Sequence, residues 1–132
     1  MIAIDTNVLV RLVVADDPQQ AALARRLIED AVGEGATCYV STPVLCELEW
    51  VLVSRYRVPR TEIAAVLTRL LDNGAFVFKE RNVLLQALAA YRQGRAAFAD
   101  HLIGAKAQAF GATTTWTFDR GLRNCAGFSI LG

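Results

Sequence analysis

At 132 residues, with 54% hydrophobic residues and a formal charge of only +1, the chain is sized for one domain around one core. It carries no bulk field that would draw in polyanions, so any nucleic-acid contact must come from a local basic patch. No uninterrupted apolar run is long enough to span a bilayer, and Asp5 interrupts the window a signal peptide would need, so a cytoplasmic protein without membrane association is expected.

The bases are lopsided, twelve Arg against two Lys, and a guanidinium fork pairs with phosphate or carboxylate better than an ammonium does. The apolar share exceeds the roughly 45–50% usual for soluble domains, which points to apolar surface that a dimer or partner protein would cover. Cys38, Cys46 and Cys125 are odd in number and lack C-x-x-C spacing, so neither a disulfide framework nor a zinc site is expected; they read as buried small hydrophobes.

In chain order, Met1 to Ile4 reads as a short strand ending at Asp5, and Val8, Leu9, Leu12 and Val13 then recur at helical spacing. Asp17-Pro18 gives an N-cap and a first-turn proline for a second helix reaching Val32, closed by Gly33. Thr37 to Ser41 is strand-like, and Thr42-Pro43 repeats the cap-and-proline signal before a helix over Val44 to Tyr56. Pro59 opens a helix over Arg60 to Asp72 whose apolar face holds Ile63, Leu67, Leu70 and Leu71; Phe76 to Phe78 is a third strand. Helices follow at Asn82 to Gln93 and Phe98 to Phe110, with Gly111 as the stop. Ala112 to Phe118 reads as a strand, Asp119 to Asn124 as a turn region, and Phe128 to Leu131 as the closing strand. Strands alternating with helices predict an α/β fold, a mainly parallel sheet between helical layers in a single domain over residues 1–132.

Ligands of open parallel sheets collect beyond the carboxyl ends of the strands. Asp5 and Asp119 end two predicted strands there, while Glu47 and Asp100 sit early in helices that can lean over the same rim. Glu47 shares a helical stripe with Val44 and Val51 and is expected to face inward, with Glu49 rotated away. Each acid also has a plainer reading: Asp5 as a helix cap, Asp100 as a first-turn acid favoured by the helix dipole, Asp119 as a turn residue, Glu47 as the partner of Arg55 or Arg25. Clustered carboxylates repel each other, and hard divalent cations with oxygen ligands, Mg²⁺ or Mn²⁺, resolve the conflict. The chemistry implied is phosphodiester hydrolysis with cation-activated water, for which no histidine is needed as base. His101, the single histidine, is expected at a surface or interface, because its neighbour Asp100 points about 100° away on the same helix. Arg11, Arg120 and Arg123 lie close in sequence to the acids and are candidates for steering RNA phosphates. Cys46, Trp50 and Val53 make their helix apolar almost all round, so core packing and a subunit interface compete as explanations.

Ile4-Asp5-Thr6-Asn7-Val8-Leu9, Glu47-Leu48-Glu49-Trp50-Val51-Leu52, Phe98-Ala99-Asp100 and Thr115-Trp116-Thr117-Phe118-Asp119-Arg120 together resemble a PIN domain of the VapC toxin type, over nearly the whole chain. The resemblance implies a three-layer α/β/α fold and a Mg²⁺- or Mn²⁺-dependent endoribonuclease, the toxin of a type II toxin-antitoxin system. It further implies a homodimer, neutralised by a cognate VapB-type antitoxin that covers the site. Asp5, Glu47, Asp100 and Asp119 match the family's metal-binding acids; Thr6, Asn7 and Thr117 match positions where polar residues support them. His101 and Lys106 stand where relatives often carry small or apolar residues. Three rival classes predict different behaviour. A haloacid-dehalogenase-like phosphatase needs a carboxylate where Asn7 stands; a receiver-like domain takes phosphate covalently on one Asp; an idle binding module tolerates amide replacement of the acids.

Overall fold

A computed structural model describes all residues, Met1–Gly132. The chain divides into two compact units, Met1–Lys79 and Glu80–Gly132.

The first unit begins with β1 (Ile2–Ala3), α1 (Thr6–Val13) and α2 (Pro18–Gly33). It continues through β2 (Cys38–Tyr39), α3 (Thr42–Ser54), α4 (Arg60–Asp72) and β3 (Phe76–Val77). Its strands run parallel in the order β1-β2-β3, Ile2 opposite Cys38 and Cys38 opposite Phe76. The first strand is shorter than its apolar run suggested. Helix α1 starts at Thr6, so Asp5 is not the strand's last residue but the helix's N-cap.

Asp17 caps α2 as expected, its carboxylate accepting from Gln20 N at 3.0 Å. The stop comes slightly later than predicted: Gly33 is still helical, and the left-handed backbone that only glycine adopts without strain falls at Gly35, φ 77°. Helix α3 begins two residues before Val44 and ends before Tyr56, with Ser41 rather than Thr42 as its cap. Helix α4 buries Ile63, Leu67, Leu70 and Leu71 together with Ala64 and Val66, the face its periodicity foretold.

The second unit contains α5 (Arg81–Gln93), α6 (Phe98–Phe110), β4 (Thr115–Thr117), a single 3-10 turn (Arg120–Leu122) and β5 (Phe128–Ile130). Gly111 closes α6 in left-handed conformation, φ 107°. Strands β4 and β5 pair in parallel, Trp116 opposite Ser129. The strand predicted over Ala112 to Phe118 shrinks to three residues, so Phe118 separates its end from Asp119.

The core of this unit centres on Tyr91 and Phe98, both fully buried, their rings edge to face at 6.1 Å. His101 joins them, 4% exposed and edge-on to Tyr91 at 6.4 Å, which corrects the expected surface position. Phe98, His101, Leu102 and Ala105 form one i, i+3, i+4, i+7 stripe, so the histidine follows the core face of α6. Lys106, on the exposed side, pairs with Glu80 at 3.8 Å, an exposed contact of little energetic weight.

Of the cysteines only Cys38 is fully buried; Cys46 and Cys125 are half-buried thiols. No helix is long and apolar enough to cross a membrane.

Replacing Phe98 with Ala opens a cavity beneath Tyr91 and is expected to cost about 3–5 kcal/mol. Urea denaturation of wild type and Phe98→Ala measures it; a loss below about 1 kcal/mol would contradict this account of the core.

Candidate active site

The carboxyl end of β1 places Asp5 where the chain turns into α1, and the helix needs its first amides satisfied. Asp5 Oδ1 accepts from Thr6 N at 2.8 Å, so the plainer capping role is real. Only one carboxylate oxygen is used. Oδ2 receives no protein hydrogen bond.

Glu47 and Asp5 line the same small cleft of about 180 Å³, together with Thr6, Asn7, Arg11 and Arg55. Asp5 also borders a second cleft beyond the strand ends, lined by Ala3, Tyr39, Ser41 and Val44. A larger cavity of about 410 Å³ between α1, α2 and α4 contains Glu29 as its only carboxylate, so size alone does not single out the site.

The expected orientation of the α3 acids is reversed in one respect. Glu47 is exposed and Glu49 is 4% exposed. The buried face of α3 is Leu45, Leu48, Glu49 and Leu52, one residue-step around from the Val44, Glu47, Val51 stripe. Because Cys46, Trp50 and Val53 leave the helix apolar on nearly every side, periodicity could not choose between the two stripes. Trp50 and Val53, 65% and 46% exposed, resolve the competing explanations against core packing.

Neither Asp5 nor Glu47 forms an ion pair, although Arg11 and Arg55 border the same cleft. Arg11 is committed elsewhere: its Nη1 donates to Asp16 Oδ1 at 2.7 Å and its Nε to Gln20 Oε1 at 2.6 Å. The Tyr56 hydroxyl donates to Asp16 Oδ2 at 2.9 Å and accepts from Arg11 at 3.5 Å. Asp16, Gln20 and Tyr56 therefore brace Arg11 at the wall of the cleft. Sequence reading missed all three, since Tyr56 lies forty residues from Asp16 and no local pattern links them.

Thr6 is 5% exposed, and its Oγ1 is buried without a hydrogen-bond partner beside the two acids. A buried hydroxyl without a protein partner is costly, which leaves this oxygen available to a ligand of the cleft. Asn7 is exposed on the same wall.

In the second unit Asp100 is half-buried and its Oδ2 accepts from Ala97 N at 3.3 Å, reaching back over the start of α6. Asp119 caps the 3-10 turn, Oδ1 accepting from Gly121 N at 2.8 Å, while its own N–H donates to Thr117 Oγ1 at 3.0 Å. Thr117 thus fixes the backbone that carries Asp119. Arg120 and Arg123 are exposed and unpaired. Within neither unit do three or more His, Cys, Asp or Glu side chains gather in metal-holding range; the first unit brings together the pair Asp5 and Glu47.

The PIN-domain family model matches residues 2–127, and the chain belongs to the PIN-domain family. Members of that family are generally nucleases, which makes the chain a hydrolase acting on nucleic acid. The match runs through both compact units and through every acid named above. A search of curated proteins finds no match to the chain.

The brace around Arg11 has a defined pH range. The Tyr56 hydroxyl and then the Arg11 guanidinium hold the Asp16 carboxyl below its ordinary value, while Tyr56 and Asp16 hold Arg11 above its own. A depressed carboxyl contributes above its unfolded value and is lost as pH falls through its folded one. The Arg11 Nη–H signals, bonded to Asp16, should therefore persist as pH falls from 7 to the ordinary carboxylate range, about 4, and broaden only below it. Broadening already near pH 6 would contradict the brace.

Proposed function

We propose that this PIN-domain protein is a divalent-cation-dependent endoribonuclease, the toxin of a type II toxin-antitoxin pair of the VapC type. The observation that carries the reading is the cleft that Asp5 and Glu47 both line without an ion pair to either, beside a buried Thr6 hydroxyl that lacks a protein partner. Carboxylate and hydroxyl oxygens are the donors Mg²⁺ and Mn²⁺ take, and these residues fit such an ion. When bound, the cation supplies Lewis acidity and charge neutralisation at a scissile phosphodiester.

The side chains divide the remaining work. Asp5 keeps one oxygen on the Thr6 amide, which fixes its rotamer, and offers the other to the ion. Glu47 reaches the same cleft from α3 and brings no hydrogen bond that must first be broken. Arg11, held by Asp16 and Gln20, presents fixed positive charge at the cleft wall, where a phosphate would be oriented. In the second unit Asp100 and Asp119 are proposed as further ligating acids, Thr117 as the support of Asp119, and Arg120 and Arg123 as phosphate contacts. Asn7 supports the acid cleft from its α1 wall.

An antitoxin and a second copy of the chain are the proposed partners. Support comes from exposed apolar side chains in excess of what one core hides, Trp50 and Val53 on α3 among them. Expression of wild type is expected to arrest growth and degrade RNA, and the purified protein to cut RNA only with Mg²⁺ or Mn²⁺ present.

Asp5→Asn and Asp100→Asn should each fold normally and lose about 100-fold or more in cleavage rate, the scale on which removal of one electrostatic stabiliser acts. Cleavage of labelled RNA, with and without chelator, checks this. Either variant cutting at the wild-type rate would remove that residue from the site.

A further inference from the structure

Helices α1 and α2 flank an open cavity of about 500 Å³, lined by Asn7, Val8, Arg11, Gln20, Leu23, Ala24 and Leu27. Its volume lies within the roughly 300–1,000 Å³ of small-ligand clefts. Asn7 and Arg11 line both this cavity and the one that holds Asp5 and Glu47, so the two adjoin along one face of α1.

We infer that the α1–α2 cavity receives a nucleobase of single-stranded RNA next to the phosphodiester that is cut, an inference that rests on the ribonuclease reading above. The lining has the two chemistries a base requires. Val8, Leu23, Ala24 and Leu27 supply apolar walls for its faces, and Leu23 and Leu27 are left 66% and 44% exposed, a state that a bound flat ligand would relieve. Polar groups stand where its edge would lie. Asn7 has an amide engaged with no protein group, and Gln20 uses its Oε1 on Arg11 Nε, which leaves its NH₂ as a donor. Arg11 contributes a fixed guanidinium, a plane on which unstacked RNA bases rest.

The arrangement also favours a nucleotide over a protein helix. An apolar helix groove would be lined by hydrophobic residues along its length, whereas here the end nearest the acids is formed by Asn7, Arg11 and Gln20. Positive charge at Arg11 lies at the junction of the two cavities, where the phosphate joining a docked base to the cut bond would pass. Asp16 and Tyr56 hold Arg11 and act as positioning residues, while Gln20 both holds it and lines the cavity.

The test compares cleavage of a short RNA containing one cut site with the same RNA made abasic, one nucleotide at a time, around that site. Wild type with Mg²⁺ is expected to show a kcat/KM about tenfold lower for the abasic substrate at one flanking position, the order of one lost stacking contact. Leu23→Ala and Leu27→Ala should bring the ratio of intact to abasic rates close to one at that position and leave it unchanged elsewhere. A ratio in both variants equal to that of wild type overturns the proposal. Equal losses on intact and abasic RNA also overturn it, since the leucines would then act only through the fold. No cleavage of any RNA by wild type with Mg²⁺ or Mn²⁺ overturns the nuclease reading beneath it, a failure distinct from the other two.

Discussion

Two carboxylates that line one cleft of about 180 Å³, neither of them in an ion pair, are the constraint on which the rest of the first unit's chemistry depends. Like charges at one cleft favour a cation between them, and neither nearby base bonds to the acids directly. Arg11 is bonded to Asp16 and Gln20, and Arg55 forms no ion pair with either acid. Had Arg11 been free to swing onto Asp5 or Glu47, the pair would have been an ordinary surface salt bridge. Asp16, Gln20 and Tyr56 engage Arg11 instead, so residues remote from the acids keep it out of an ion pair with them.

Local folding creates this pair by simple means. A strand of two residues hands directly to a helix, so the residue at the junction must cap it, and an Asp there spends one oxygen and keeps the other. Parallel pairing of β1 with β2 sets the start of α3 beside that junction, because both strands end at the same edge of the sheet. Glu47 then arrives from the second turn of α3. The cap uses one Asp5 carboxylate oxygen, so capping leaves the other oxygen for a further role.

Much of this was legible in the sequence where a local rule determined the outcome. Asp17-Pro18 fixed the start of α2, the 3.6-residue stripe of Ile63, Leu67, Leu70 and Leu71 fixed α4, and Phe98 to Gly111 gave α6 with its glycine stop. The family itself was readable from four short motifs in order. What escaped depended on packing among distant residues. Glu49 and His101 are buried because of what their helices face, and a helix apolar all round, or a lone polar residue within a core stripe, carries no internal sign of its orientation. The strand lengths were overestimated for a related reason, since apolar runs mark what is buried rather than which backbone groups pair. The Arg11 brace joins residues from three segments and had no signature at all.

Membership of the PIN-domain family and the geometry of Asp5 and Glu47 meet at one physical claim, that this pair holds a divalent cation. Titration of isotope-labelled protein with substoichiometric Mn²⁺, followed by paramagnetic broadening of amide resonances, tests it most directly. The account predicts that Thr6, Asn7 and Glu47 broaden first and that Glu47→Gln weakens the effect at Thr6. Broadening that begins instead around Glu29, in the larger cavity, or that is spread evenly over surface acids, would contradict it.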